Sequence, residues 1–496
     1  MLLLSSSAHV MADLISSLPD GVLKLVMHHV PVKDRLTSCC LVNSRMHVAA
    51  VAVEQLTLGD WRNVSAEVQA EYQDCALMWL QNYSQHLTRL SFNNLPKPLQ
   101  QLPCPNLLDL QLSSCSVELG PAAGGQPGVV QGSCKLTRLE LLDCNITALS
   151  AGVVDGLASL EHLQHLTVRH TSHFLARDDV EGLSQATLPS LTELTYLWVE
   201  NLSRENLTQL GGLTNLQELH LRALEHYDDP SVGPSSVPGL VLPASLSKLE
   251  LHSEVEVGLL SLIPAGLKVL GVHCSYEGPT DGPMSLLSCM ARLQDLTEVE
   301  LFVYQWPPAG PAYSALTASS SLVSLVLSHD AMPEGVWPHV FPASRTMLQL
   351  TELGFRYPRE DIVPCPWGAA DLTRLIACCP NLLKVADITL QYGPHVSELH
   401  KLTSLTNLGM YYDVVSDIAA VEDSMKGLAA VTQLKALDLE MVNQRMRVAP
   451  FLPLTSLTSL TALDLRYCSD EVPEGHRRYI NVTFQQVSQP VIHCKP

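Results

Sequence analysis

The sequence predicts an α/β solenoid, in which short strands stack into one parallel sheet and return through short helices or turns. A leucine pattern recurs along most of the 496 residues, and apolar positions inside each copy alternate as in a strand. Leucines between the copies stand three or four residues apart, which is helical spacing. Aromatic residues are 5% of the chain and hydrophobic residues 46%, so the core must be aliphatic.

The repeated unit is L-x-x-L-x-L with conservative replacements, as in LTRLEL at Leu136. Fifteen copies occur at intervals of 20 to 35 residues, about 27 on average, inside or near the range of leucine-rich repeats. The copies begin at Leu87, Leu107, Leu136, Leu163, Leu194, Leu216, Leu246, Leu267, Leu296, Leu322, Leu350, Val385, Leu405, Leu434 and Leu460.

Strand alternation assigns a direction to each position of the repeat. The fourth and sixth residues point into the core, and the third, fifth and seventh point outward. One strand cannot bury its leucines alone, so neighbouring copies stack into a solenoid with a parallel sheet on its concave face. The return segments, such as LTQLGGLTNL (207–216), predict short helices or 3₁₀ turns on the convex side.

The remaining segments divide the chain into five parts. We expect a flexible N-terminus (1–14), a helical domain (15–60), a linker helix (61–86), the solenoid of about 15 repeats (87–470) and a C-terminal cap (471–496). Within the solenoid, three stretches rich in proline and glycine predict loops. These loops are residues 120–128, 228–239 and 357–368.

The net charge is −20 and the pI is about 5.3, which argue against a broad basic face for nucleic acid or anionic membrane. The sequence contains no run of 18 uncharged apolar residues, so no membrane span is predicted. The first residues lack the features of a signal peptide. We therefore expect a cytoplasmic or nuclear protein, or one found in both, with its thiols reduced.

The fourteen cysteines include no C-x-x-C pair, so zinc-ribbon and thioredoxin-like sites are not predicted. Cys115, Cys144 and Cys468 each lie eight residues after the first leucine of a repeat, where such repeats place Asn or Cys in the turn that leaves the strand. Cys104 begins the unit that Cys115 ends, so these two need not touch. We expect buried, reduced cysteines.

Residues 15–60 lie outside the repeat and predict three short helices. Pro19 and Asp20 suit the start of the first helix, and Pro31 ends it. Asp34 can cap the second, and the third is predicted from Asn43 through Leu56. Three short helices make too small a core to be stable comfortably alone, so this unit should dock on a partner or cap the solenoid.

This stretch resembles an F-box, the three-helix motif that binds the Skp-type adaptor of cullin-based ubiquitin ligases. The resemblance rests on Leu18-Pro19, on the apolar positions after it, on KDRL (33–36) and on LVNSR (41–45). An F-box before a leucine-rich array is a recurrent arrangement of substrate receptors, so the resemblance covers nearly the whole chain. The adaptor-binding residues that it implies are Leu18, Pro19, Val22, Leu23, Val26, Val30, Leu36, Leu41, Val42 and Arg45.

The resemblance extends to the style of the repeats. CPNLLDLQLSSC (104–115) is similar to the cysteine-containing subtype frequent in such receptors, and LTSLTSLTALDL (454–465) is closer to plant or algal repeats. It implies a substrate-recognition subunit of an SCF-type ubiquitin ligase, with a Skp-type adaptor, a cullin and a protein substrate as partners. The alternative is a leucine-rich interaction scaffold with a helical cap and no ubiquitin role.

The chain carries no nucleotide-binding glycine loop, no H-E-x-x-H and no G-x-S-x-G. We therefore expect neither an enzyme nor a cofactor. The histidines between 162 and 173 could suggest a metal site, but Cys or carboxylate partners at ligand spacing are absent, so a polar repeat surface is the preferred interpretation and no metal is expected.

Function is then predicted on the concave sheet. Trp198 beside Tyr196, flanked by arginine, combines the residue types that dominate interfaces, although a solvated face with incidental aromatics is the alternative. Carboxylates at one strand position could form an acidic stripe for a basic segment. The predicted substrate-binding residues are Arg138, Glu140, Arg169, Tyr196, Trp198, Glu200, His220, Arg222, Glu250, His252, Glu300, Phe302, Tyr411, Asp438 and Asp464.

Overall fold

The computed structural model describes most of the repeat region. The described residues are 54–58, 65–99, 102–117, 129–130, 133, 135–146, 157, 159–169, 188–200, 207–222, 241–252, 257–274, 281–303, 306–328, 332–356, 367–389, 394–412, 418–441, 449–467 and 478–483. They fall into two compact units. Residues up to 222, with 241–245, belong to the first unit, and the described residues from Leu246 onward belong to the second.

The first unit is built on a parallel sheet of seven strands, with a separate two-stranded pair that continues two of its coils. The sheet order is β1-β2-β3-β5-β7-β8-β9, and β4 pairs with β6. The strands are β1 (Gln55–Leu58), β2 (Arg89–Asn93), β3 (Asp109–Ser113), β4 (Ser116–Val117), β5 (Arg138–Leu142), β6 (Asn145–Ile146), β7 (His165–Arg169), β8 (Tyr196–Glu200) and β9 (Glu218–Arg222).

The second unit continues the same pattern, with each strand pairing in parallel with the next along the chain until the last, which is antiparallel. Its strands are β10 (Lys248–His252), β11 (Val269–Cys274), β12 (Glu298–Val303), β13 (Ser324–Ser328), β14 (Glu352–Arg356), β15 (Lys384–Thr389), β16 (Asn407–Tyr412), β17 (Ala436–Met441), β18 (Ala462–Tyr467) and β19 (Arg478–Thr483). β19, the last described strand, pairs antiparallel with β18 and lies in the segment that was predicted as a C-terminal cap (471–496).

Short helices return the chain between strands, as the leucine spacing predicts. The α-helices are α1 (Ala66–Tyr83), α2 (Val257–Ser261), α3 (Asp281–Met290), α4 (Trp337–Val340), α5 (Ala369–Cys378) and α6 (Ile418–Leu428). The 3₁₀ helices are Ser84–His86, Leu188–Ser190, Leu210–Gly212, Pro311–Thr317, Pro394–Lys401 and Ala449–Ser456. None of the helices in the described part of the chain has the length and apolar character of a membrane span.

The core of each unit is a stack of leucines from equivalent repeat positions. In the repeat at Leu136, the side chains of Leu136, Leu139 and Leu141 are buried, while Arg138 and Glu140 lie on the other side of the strand. Burying one leucine contributes about 1.5–3 kcal/mol, and each coil buries several against its neighbours. The predicted inward and outward positions are confirmed in this repeat. We call the side of the sheet that carries Arg138 and Glu140 the outward face.

One repeat was predicted in the wrong register. The copy assigned to Val385 begins at Leu382, since β15 starts at Lys384 and the side chains of Leu382 and Val385 are both buried. Asp387 has a left-handed backbone with φ of 54°, and the pairing between β15 and β16 shifts there. This irregularity places Ile388 in the core and disguises the hexamer.

The N-terminal prediction needs one correction. The third helix of the proposed F-box was expected to continue through Leu56, but Gln55–Leu58 is strand β1, paired in parallel with β2. The alternation of QLTL buries Leu56, which favours a strand on the sheet edge. The ten predicted adaptor-binding residues, between 18 and 45, lie outside the described residues.

Within residues 61–86, which were predicted as a linker helix, Ala66–Tyr83 form α1, with Ser65 at its N-cap position. It packs beside the first coil through a reciprocal amide contact. The side-chain nitrogen of Gln73 donates to the carbonyl of Lys97 at 3.0 Å, and the Lys97 N–H donates to the Gln73 side-chain oxygen at 3.0 Å. Lys97 also pairs with Asp74 at 2.6 Å. These contacts fix the middle of α1 on the segment that follows β2.

A ladder of threonines, which the leucine pattern does not reveal, runs along the start of the strands. The residue before a strand is repeatedly threonine, and its hydroxyl donates to the carbonyl at the same position of the preceding coil, as from Thr137 to Leu108 at 3.0 Å. Other members of the ladder are Thr88, Thr195, Thr297, Thr351, Thr406 and Thr461. Each adds a hydrogen bond between coils, worth about 1 kcal/mol.

The loop predicted over 357–368 contains a core residue at its end. Trp367 is fully buried, and its ring stacks on Trp337 of α4 with centroids 4.1 Å apart. Phe341 and Phe355 complete this cluster. Trp367 was missed because proline and glycine around it dominate the local pattern, whereas the space that it fills is created by other coils.

Candidate functional site

The outward face of the first unit presents a grid of side chains from four adjacent strands. Residues in register across the strands form three rows that run from β5 through β7 and β8 to β9. The first two rows are Arg138, His165, Tyr196 and Glu218, and then Glu140, Thr167, Trp198 and His220. The third row is Leu142, Arg169, Glu200 and Arg222, in which an ion pair joins Arg169 to Glu200 just beyond the paired residues of β7 and β8. Strand spacing of about 4.8 Å puts neighbouring members in contact.

Aromatic rings form a continuous ladder across this grid. His165 stacks on Tyr196 with centroids 3.9 Å apart and ring planes inclined by 7°. His220 contacts Tyr196 at 5.1 Å and stacks on Trp198 at 5.2 Å. Such ring pairs contribute about 0.5–1.5 kcal/mol beyond their buried area. The ladder therefore holds Trp198 in one orientation, with its side chain half-buried.

Two arginines converge on one buried carboxylate in the third row. Glu200 has a side chain that is 4% exposed, and its Oε1 lies 3.6 Å from Arg169 Nε and 3.2 Å from Arg222 Nη1. The arginine side chains are 42% and 48% exposed. The Arg169 guanidinium also lies 5.5 Å from the Trp198 ring centroid, within cation–π distance. The Arg169 guanidinium thus lies between the Trp198 ring and the Glu200 carboxylate, and Arg222 approaches the same carboxylate.

We call this set of side chains the aromatic–arginine cluster. Its members are His165, Arg169, Tyr196, Trp198, Glu200, His220 and Arg222. Six of the seven were predicted from repeat position. His165 was missed in the list of outward residues, although it holds the third position of LQHLTV at Leu163, the position from which Tyr196 was predicted.

The edge of the cluster carries charged neighbours. Arg138 Nε donates to Glu140 Oε1 at 2.9 Å, and His165 Nε2 lies 3.6 Å from the same carboxylate oxygen. Burial lowers the pKa of His165, and the positive charge of Arg138 lowers it further, while Glu140 acts in the opposite direction. The neutral imidazole is thus favoured, which suits its stacking on Tyr196.

The second unit carries a separate group of predicted residues on β10 to β12. Glu250 contacts Lys248 at 3.1 Å and His252 at 3.5 Å. His252 stacks on His273 at 4.4 Å, and His273 contacts Phe302 at 4.5 Å. Sequence reasoning missed His273, although it follows Val272 at the seventh position of its repeat.

The predicted acidic stripe is discontinuous. Glu250 and Glu300 share one row, but Gly271 lies between them, and a Cβ there would stand 3.0 Å from Glu250 Cγ. Val326 follows Glu300 in the same row. The stripe resumes only at Asp438 and Asp464, which are neighbours on β17 and β18.

The second acidic group lines a shallow groove of about 320 Å³. Asp387, Gly409, Asp438 and Asp464 contribute to its walls. Tyr411, also predicted to bind, lies on β16, and its side chain is outside the described part of the structure. Of the two units, the first brings more of the predicted residues into mutual contact, and its cluster supplies aromatic faces and guanidinium donors suited to binding.

Comparison with known proteins shows likeness in structure alone. No protein-family model matches the chain, and no curated protein matches it. An internalin from Listeria monocytogenes is similar at 16% identity and a TM-score of 0.39, over 70% of this chain and 85% of the internalin. A leucine-rich-repeat protein from Leptospira interrogans is similar at 16% identity and a TM-score of 0.40, over 76% of this chain and 90% of that protein.

Proposed function

We propose that this chain is a non-catalytic protein-binding module and that the aromatic–arginine cluster is the centre of its binding surface. The observation that carries this is the position of Trp198, half-buried between His220 and Arg169 on the outward face of a parallel sheet. Trp, Tyr and Arg contribute most of the energy at protein interfaces. Because the ladder already holds these side chains, binding would cost little additional ordering.

The charges of the cluster favour a partner with an acidic side chain beside an apolar or aromatic one. Arg169 and Arg222 share the single carboxylate of Glu200, and both remain about half exposed. Guanidinium N–H groups that do not face Glu200 can donate to a carboxylate of the partner. The exposed part of Trp198 then offers the adjacent apolar contact.

Capture experiments with the full chain test this surface. Proteins retained by the tagged wild-type chain are compared with those retained by Trp198→Ala/Arg222→Ala and by Met78→Ala, a control at an exposed apolar residue of α1. A partner retained by the wild type and the control is then measured against each purified chain by calorimetry. We expect the double variant to bind at least about tenfold more weakly, a loss of about 1.4 kcal/mol. Equal affinity for all three chains would place the binding surface elsewhere.

The finer proposal is that this module is the substrate-recognition subunit of an SCF-type ubiquitin ligase. It rests on the resemblance of residues 18–45 to an F-box and on the position of that segment before the repeats. Such a subunit catalyses nothing itself. It raises the effective concentration of substrate lysines near the conjugating enzyme, in the cytoplasm or nucleus where that machinery acts.

Direct binding of a purified Skp-type adaptor tests the finer proposal. We expect micromolar or tighter binding by the wild-type chain and by His9→Ala, and loss of binding in Leu18→Ala/Pro19→Ala. If the wild type does not bind the adaptor at micromolar concentration while its partner still requires Trp198, the chain is an interaction scaffold with a helical cap and no ubiquitin role.

A further inference from the structure

Cys115 and Cys144 occupy equivalent positions in adjacent coils of the first unit. Ser113 pairs with Leu142 just before them, and Ser116 pairs with Asn145 just after them, both in parallel register. The two cysteines are therefore direct neighbours across the coils. Neighbouring strands lie about 4.8 Å apart, which falls within the Cα separation of about 4.4–6.8 Å that a disulfide requires.

The sulfur atoms are held on the same side of the coils. Cys144 Sγ lies 3.3 Å from the carbonyl oxygen of Leu112, so it points toward the coil that carries Cys115. Cys115 Sγ donates to the carbonyl of Ser113 at 3.1 Å in that coil and, like Cys144, also contacts the coil before its own, at 3.8 Å from the carbonyl oxygen of Phe92. Both side chains are buried, with the residues 1% and 2% exposed. Cys115 and Cys144, which hold the same position at the end of successive repeats, thus lie side by side in adjacent coils.

The pair is electronically asymmetric. A hydrogen bond from the Cys144 thiol lowers the pKa of Cys115, and backbone contacts around Leu95, Ser113 and Asn94 lower it further against the opposing effect of burial. The same hydrogen bond raises the pKa of Cys144, as does burial. The thiolate is the reactive form of cysteine, so Cys115 is the nucleophile of the pair and Cys144 the resolving thiol.

Other buried cysteines differ from this pair. Burial raises the pKa of Cys104 to about 11, and burial also raises that of Cys289. Neither has a cysteine among the groups that shift its pKa. Cys289 is the matched control in the oxidation test, since it is as buried as Cys115 and no cysteine of the described residues is among the groups that shift its pKa.

We propose that Cys115 and Cys144 form a dithiol that hydrogen peroxide oxidises to an intrachain disulfide between adjacent coils. The Cys115 thiolate attacks one peroxide oxygen, the O–O bond breaks, and hydroxide leaves Cys115 as a sulfenic acid. The Cys144 sulfur then attacks the sulfenic sulfur, and the S–O bond breaks. With the thiol protons counted, two thiols and one peroxide give one disulfide and two water molecules.

Burial selects the oxidant. Hydrogen peroxide is little larger than water and can reach a sulfur inside the coil, whereas glutathione disulfide must wait for the coils to open. The pair should therefore respond to peroxide much faster than to glutathione disulfide. The product ties the coil of β3 to the coil of β5, which carries Glu140 beside the aromatic–arginine cluster. This inference stands independently of the proposed binding function.

Peptide mapping of the oxidised full chain tests the pair. In a Cys104→Ser/Cys134→Ser background, trypsin gives a peptide of residues 90–135 with Cys115 as its single cysteine, and a peptide of residues 139–169 with Cys144 as its single cysteine. The folded, reduced protein is treated with hydrogen peroxide, alkylated and digested without reduction. We expect these two peptides to appear linked, with Cys289 still available for alkylation after denaturation.

A second variant separates the two steps. In Cys144→Ser, we expect no linked peptide and instead a sulfenic acid on Cys115 that a dimedone probe traps. Circular dichroism confirms that each variant is folded before oxidation. The proposal fails if the folded protein forms no Cys115–Cys144 link under peroxide, or if Cys115 reacts less than about tenfold faster than Cys289.

Discussion

The guanidinium carbon of Arg169 lies 5.5 Å from the centre of the Trp198 ring, although the two residues are 29 positions apart in sequence and belong to different strands. Arg169 also contacts Glu200, two residues beyond Trp198, so one arginine links an aromatic surface to a buried carboxylate. The pairing of β7 with β8 creates this relationship. The contacts of Arg169 with Trp198 and Glu200 fix the positions of these side chains on the outward face of the first unit. Each of these side chains can be tested by substitution.

The buried carboxylate of Glu200 should stabilise the first unit more than the half-exposed carboxylate of Glu218 does. Glu200→Gln removes the charge that two arginines share, and we expect the free energy of unfolding to fall by about 1.5–3 kcal/mol. Glu218→Gln, on the adjacent strand, should change it by less than about 0.5 kcal/mol. Urea denaturation of the purified chains measures both. Similar losses in the two variants would show that Glu200 is not the centre of a stabilising ion pair.

Gly409 is required by a close approach between coils. A Cβ at this position would lie 2.9 Å from the backbone nitrogen of Asp387, which cannot move without disturbing β15. We expect Gly409→Ala to lower the free energy of unfolding by about 1–3 kcal/mol through overpacking. Gly266→Ala is the matched control, since nothing lies within 4 Å of its added carbon.

Thermal unfolding followed by circular dichroism compares these two alanine variants. The expected order of melting temperatures is wild type close to Gly266→Ala, and both above Gly409→Ala. If Gly409→Ala melts with the wild type, the irregular turn at Asp387 is able to relax, and the contact does not limit the fold.

The tryptophan that closes the core around β14 should be a major source of stability in the second unit. Trp367→Ala removes a fully buried ring that stacks on Trp337, and we expect a loss of about 3–5 kcal/mol. Leu348→Ala, at an exposed apolar position, should cost no more than about 0.5 kcal/mol. Chemical denaturation distinguishes them, and a small loss at Trp367 would mean that it does not pack in the core.

Stability should fall as His165 becomes protonated. Its pKa in the folded chain is below the ordinary value near 6.5, so protons bind the unfolded chain more tightly. The stabilisation that the neutral His165 ring contributes is fully present at pH values above its ordinary pKa. It decreases as the pH falls through and below that pKa. We therefore expect His165→Gln to cost more stability at pH 7.5 than at pH 5.0, measured as the difference in free energy of unfolding from wild type.

Comparing the two pH values controls for the stacking on Tyr196 that His165→Gln removes. That contribution is removed at both values, so only the titration changes the difference. An equal cost at pH 7.5 and pH 5.0 would show that the proton affinity of His165 is the same in the folded and unfolded chains.

By itself, the sequence determined the repeat, its inward and outward positions, the linker helix and six residues of the aromatic–arginine cluster. These follow from local periodicity, because alternation within a strand assigns each side chain to one face. The same reasoning placed Cys115 and Cys144 at equivalent repeat positions. Periodicity also predicted short return helices, although it could not distinguish α-helical from 3₁₀ turns.

The tertiary structure decided which outward residues meet. The shift at Asp387, the burial of Trp367, the threonine ladder and the convergence of Arg169 and Arg222 on Glu200 all depend on neighbouring coils. Intervals between repeats vary from coil to coil, so contacts between strands are not encoded in local spacing. Their energies come from packing and hydrogen bonds between residues tens of positions apart, which exist only after the coils have stacked.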